Sequence, residues 1–153
     1  MPRPSRLPRI YLCSSEWLGL LLNEAGASDV QALLTLATTS YDIVGSELLY
    51  VEVLAPGSEA LLASGVRTWA ALDHVVAMKV RDFRQQALAN GRSVARMTPD
   101  LIHIATAAVA GVDAFITSDA RCRTLAELYG LPAFDRGEFP APAPGQLVYP
   151  RHP

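Results

Sequence analysis

The sequence is short of charge, of cysteine and of long apolar runs, and each shortage excludes something. Of its 153 residues, 18% are Asp, Glu, Lys or Arg, against roughly 25% in an average soluble domain. Thirteen basic residues face fifteen acidic ones, for a net charge of −2. No global basic field draws nucleic acid, so any such contact needs a local patch or bound metal ions. The two cysteines, Cys13 and Cys122, make neither a disulfide framework nor a zinc motif, and a reduced, cytoplasmic compartment is the expectation. No stretch approaches about 18 uninterrupted apolar residues, so no membrane span is expected. Glu52, the Asp73-His74 pair and His103 break the longest apolar segments. The opening MPRPSRLPRIYL is basic but carries three prolines and no apolar stretch of the signal-peptide kind.

What is present is half hydrophobic, enough for one packed core in a chain of one-domain length. Residues 1–138 are read as that domain. Residues 139–153, with five prolines in fifteen positions, are read as an extended tail. Short apolar segments at 9–13, 42–45, 114–117 and 131–134 suit buried strands, and 66–71 is ambiguous. Helical patterns lie between them. Ser14 or Ser15 suits a helix start ending at Gly26, and Ser28 with Gln31 suits a capping box. Ser46 suits an N-cap for ELLYVEVLA, and residues 58–65 suit a further helical turn. Asp73 is placed to cap a long helix to Asn90. Thr98-Pro99 opens DLIHIATAAVA, which Gly111 closes, and Asp119 opens a helix to Tyr129. Strands alternating with helices predict a three-layer α/β/α fold around a short-stranded parallel sheet.

Three acids sit in surroundings that do not suit them. Glu52 lies in LLYVEVL, where an unpaired buried carboxylate is costly unless it protonates. It either looks out to solvent, pairs with a cation, or serves a site. Asp100 falls in the first turn of its helix, where the helix dipole favours an anion. Asp119 follows AFIT at the carboxyl end of a strand, where ligands gather in open parallel sheets. Capping explains Asp100 and Asp119 singly. Together with Glu52 they make a ligand set for Mg²⁺ or Mn²⁺, ions suited to phosphodiester hydrolysis.

The run DLIHIATAAVAGVDAFITSD resembles the C-terminal half of a PIN domain, and DIVGSELLYVEVL resembles that family's second strand and glutamate-bearing helix. RIYLCSS resembles its first strand, and the likeness spans roughly residues 9–135. Among small bacterial PIN domains the VapC-like ribonuclease toxins predominate. The resemblance implies a Mg²⁺- or Mn²⁺-dependent endoribonuclease acting on RNA, with Glu52, Asp100 and Asp119 as catalytic and metal-binding residues. Ser14, Thr117 and Ser118 hold its polar positions. It further implies a cognate antitoxin protein as partner and a homodimer.

Two positions depart from that pattern. Where the family carries an aspartate at the end of strand one, this chain has Cys13, whose soft thiol with a pKa near ~8.5 suits Mg²⁺ poorly. Two residues after Asp119 stands Arg121, a cation that opposes a metal or grips a phosphate. Glu16 is the nearest substitute for the missing acid. Arg81, Arg84, Arg92 and Arg96, with Lys79, Arg121 and Arg123, offer either a solvated helix face or a phosphate-contacting rim. His103, one turn after Asp100, is read as a satisfied, half-buried histidine before a ligand or base. Two functional expectations result: a metal-dependent ribonuclease, or a catalytically degenerate module that binds RNA or protein.

Overall fold

Each short apolar run becomes a strand because helices cover it on both faces. The computed structural model describes residues 6–36 and 40–138, so the Pro-rich 139–153 segment lies outside the described residues. In chain order the elements are β1 (Arg9–Leu12), α1 (Ser14–Leu21), α2 (Ala27–Leu36), β2 (Asp42–Ser46), α3 (Leu49–Glu52) and α4 (Ser58–Gly65). There follow β3 (Thr68–Ala70), α5 (His74–Ala89), α6 (Thr98–Ala110), β4 (Ala114–Ile116), α7 (Ala120–Leu128) and β5 (Ala133–Phe134). The five strands form one parallel sheet in the order β3-β2-β1-β4-β5, with Tyr11 in register with Val44 and Phe115. The ambiguous 66–71 stretch supplies its edge strand β3.

Strand alternation sorts the core into two layers. Ile10, Leu12, Ile43 and Ile116 pack with Trp17, Leu33 and Leu62 on the face of α1, α2 and α4. Tyr11, Cys13, Val44 and Phe115 pack with Val80, Phe83, Ile104 and Leu125 on the face of α5, α6 and α7. The three-layer α/β/α architecture is therefore as expected, with a PIN-like arrangement.

Several local signals act as read. Asp73 caps α5 by accepting from the Val76 N–H at 3.1 Å, and Gly111 ends α6 in the left-handed conformation at φ 64°. Others yield to tertiary demands. Ser46 is the last residue of β2, and its hydroxyl accepts from the Leu48 N–H at 3.1 Å. The long helix expected from ELLYVEVLA is thus a single turn, α3. Ser28 is inside α2, not at its cap, because the Gly26 carbonyl already accepts from Asp29 and Val30. Thr98 is the first residue of α6, whose N-cap is Met97, and α1 ends at Leu21, short of Gly26.

Candidate functional site

The strand order turns at β1 and β4: from β1 the chain adds strands to one side, from β4 to the other. Ligands of open parallel sheets bind outside the carboxyl ends at such a point. Here that edge holds Cys13 after β1 and Thr117–Asp119 after β4. Cys13 is buried, in contact with the Cys122 thiol at the start of α7, and free of any disulfide. The Cys122 hydrogen bond, burial and the nearby Asp100 charge push its pKa well up, so the group is a neutral thiol. Thr117 is buried and its Oγ1 accepts from the Asp119 N–H at 3.2 Å. Asp119 Oδ1 in turn accepts from the N–H groups of Arg121 and Cys122, at 2.8 and 3.2 Å, and caps α7.

Glu52 reaches this edge from α3 and is taken up by a histidine. His103 Nε2 lies 2.5 Å from its Oε2, and His103 Nδ1 lies 2.5 Å from the Tyr11 hydroxyl. His103 and Tyr11 are fully buried, while Glu52 keeps 23% of its side chain exposed. Burial pushes the Tyr11 phenol well up, so it stays protonated. Desolvation pushes Glu52 up too, but the hydrogen bond and charge of His103, with a hydrogen bond from Ser14, outweigh it and lower its pKa. With an ionised carboxylate, Nε2–H donates to Glu52, while Nδ1 shares a hydrogen bond with the Tyr11 hydroxyl. The satisfied-histidine reading of His103 holds, though it is more deeply buried than expected. His103 thus supplies the hydrogen-bond partner that Glu52 requires.

Asp100, on the first turn of α6, has no such partner. Burial, then the charges of Asp119 and Glu52, raise its pKa, while His103 and a hydrogen bond from Cys122 act the other way. The three acids thus feel one another across the same edge. They do not converge: among the described residues no three His, Cys, Asp or Glu side chains are grouped to hold a metal ion. Glu52 is committed to His103, Asp119 to a helix cap, and the position between them is a neutral thiol. The residues present therefore do not fit a preformed Mg²⁺ or Mn²⁺ centre, which wants hard oxygen donors in near-octahedral array.

Glu16 is no substitute for the missing acid. Its carboxylate is fully buried, 2.8 Å from Arg136 Nε, and accepts from the Ser118 N–H and the Ser15 hydroxyl. Arg136 also donates to the Ala25 carbonyl and the Ser118 hydroxyl. A Cβ on Gly19 would lie 2.7 Å from Arg136 Nη1, so this glycine makes room for the guanidinium. This ion pair joins residues 120 positions apart, and only the buried glutamate on an otherwise apolar helix hinted at it. Of the basic residues, Lys79 lies 5.2 Å over the Phe83 ring and Arg123 donates to the Thr117 carbonyl. Arg81, Arg84, Arg92, Arg96 and Arg121 are exposed.

No family model matches the chain, and no curated protein sequence matches it. Solved structures do. The VapBC2 complex from Rickettsia felis, bound to a DNA fragment from its promoter, contains a chain matching at TM-score 0.60 and 11% identity. That match covers 83% of this chain and 98% of the other. FitAcB from Neisseria gonorrhoeae matches at TM-score 0.60 and 19% identity, covering 85% and 99%. The expectation that the chain is a VapC-like ribonuclease of the PIN-domain family is corrected by these findings. No family model supports it, and the likeness to these two structures, at 11% and 19% identity, extends to the fold and no further. What stands is a PIN-like α/β/α fold. Among the described residues no helix is long and apolar enough to cross a membrane.

Proposed function

We propose that this chain is a PIN-like module that works by binding a partner protein, in a pair of the toxin–antitoxin kind, and that it holds no resident metal for cutting RNA. The observation that carries this reading is Cys13: a buried, neutral thiol paired with Cys122, at the carboxyl edge where hydrolysis would need a hard anionic ligand. The commitment of Glu52 to His103 supports it further. The toxin–antitoxin neighbours support the partner.

A second reading is Mg²⁺- or Mn²⁺-dependent hydrolysis of RNA with the ion recruited from solution. It draws on one observation, the raised pKa of Asp100, since an ion between Asp100, Asp119 and Glu52 would relieve their repulsion. Calorimetric titration with Mn²⁺ separates the two. The wild type takes up no Mn²⁺ with a Kd below the millimolar range, whereas Cys13→Asp, which adds a hard ligand beside Asp100, gains a measurable site. Tight uptake by the wild type, abolished in Asp100→Asn, would establish the second reading.

A further inference from the structure

We propose that the face made by α5, the segment 91–97 and the start of α7 is a docking trough for an acidic, amphipathic segment of a partner protein. The inference rests on the binding-module reading and gives its partner a chemistry.

Helix α5 turns Val76, Val80, Phe83 and Ala87 inward. Its outer face carries Met78, Arg81, Arg84 and Leu88. Met78 is 50% exposed and Leu88 71%. Three adjoining cavities run along this surface. One, of about 620 Å³, lies over α5 between Met78 and Leu88. It shares Arg84 and Leu88 with a second, of about 310 Å³, that reaches Arg92 and Val94. That one shares Arg92 and Val94 with a third, of about 510 Å³, floored by Met97 and Leu125 and rimmed by Arg121. The result is a run of three neighbouring cavities with apolar side chains along it and four arginines, Arg81, Arg84, Arg92 and Arg121.

Among the described residues none of these four arginines takes part in an ion pair. Other arginines of the fold do have acidic partners: Arg9 has Asp42, Arg6 has Asp113 and Arg136 has Glu16. A concentration of unmatched guanidinium groups in a chain of net charge −2 is complementary to carboxylates, which guanidinium binds in a two-pronged hydrogen-bonded pair. The interleaved apolar side chains call for leucine- or methionine-like anchors in the same ligand, the pattern of an amphipathic helix laid in a groove. A single-stranded RNA would use the arginines but leave the apolar positions unmatched. It also relies on aromatic side chains for base stacking, and no aromatic residue lines any of the three cavities.

The test is fluorescence anisotropy on the full chain with three labelled probes: a helical peptide with leucine at i, i+3, i+4 and i+7 and glutamate elsewhere, the same peptide with the leucines replaced by serine, and a mixed-sequence single-stranded RNA. The amphipathic acidic peptide binds best, and its affinity falls by about tenfold or more in the doubly substituted Arg84→Glu, Arg92→Glu chain, the loss of two charge contacts. Leu88→Ser weakens this peptide and leaves the serine peptide unchanged. All these positions are exposed, and circular dichroism checks that the variants stay folded. Preferential binding of RNA, lost in the same double variant, would overturn the proposal in favour of a nucleic-acid groove, and equal binding of all probes by wild type and variants would overturn it altogether. Mn²⁺ uptake reads the acidic edge independently, so a chain that binds the peptide yet takes up Mn²⁺ tightly refutes the metal-free reading and keeps the trough.

Discussion

Two regions of this molecule bring a glutamate to the same end of the sheet, and they treat it differently. At the α1 side, Glu16 is sealed from water, its Oε2 ion-paired with Arg136 and its Oε1 accepting from the Ser118 backbone and the Ser15 hydroxyl. At the α3 side, Glu52 is held by His103 and Ser14 but remains partly open, with Asp100 and Asp119 close enough to disturb one another. The first arrangement has its counter-charge in place and is closed to solvent, so it serves the fold. The second leaves charge unbalanced at an open edge, the condition under which pKa values shift and sites form. An acid in apolar surroundings is therefore not evidence of a site by itself; what distinguishes the cases is whether the fold supplies its counter-charge.

The largest expected effect comes from breaking the sealed side. Arg136→Met strands the buried Glu16 carboxylate, and removal of one partner of a buried ion pair costs about 3–5 kcal/mol. Urea denaturation should read a loss of this size. A loss under about 1 kcal/mol, as for an exposed pair, would mean that the Glu16 side is no more consolidated than the Glu52 side.

A smaller effect follows from breaking the open side. His103→Leu removes the partner of both Tyr11 and Glu52, and leaving buried polar groups unmatched costs about 1–3 kcal/mol. This loss depends on pH with a definite sign. The pKa of Glu52 is lowered in the folded state from an ordinary value near 4.5. Its stabilisation is therefore present above that pH and fades as pH falls through the lowered folded value. The gap between wild type and His103→Leu in thermal denaturation should narrow on acidification across that window. A gap that widens instead would mean that the carboxylate of Glu52 is not held by His103.

How much of this was legible in the sequence follows from the range of each interaction. The strands, the cap at Asp73, the stop at Gly111 and the cap at Asp119 are local, and each reads from neighbours in the chain. The shortening of ELLYVEVLA to one turn was not legible, because Ser46 joins β2 and is held there by pairing with β3. The acidic edge was legible as a set of residues but not as an arrangement. Asp100, Asp119 and Glu52 do gather at one edge, yet the pairing of Glu52 with a histidine 51 positions away, and of Glu16 with an arginine 120 positions away, arises only when the sheet is assembled. Cys13 was the most informative single residue, since a thiol is a soft ligand whether or not the chain is folded. The trough was legible only as a cluster of arginines; the exposed leucine and methionine between them gain meaning from the helix face they share.

The account turns on the claim that the acidic edge, lacking a hard ligand at Cys13, does not support hydrolysis. Single-stranded RNA incubated with the purified wild-type chain in Mg²⁺ and in Mn²⁺, beside Asp100→Asn, tests it directly. The account predicts that wild type and Asp100→Asn both leave the RNA intact with either ion. Cleavage by the wild type that disappears in Asp100→Asn would contradict it.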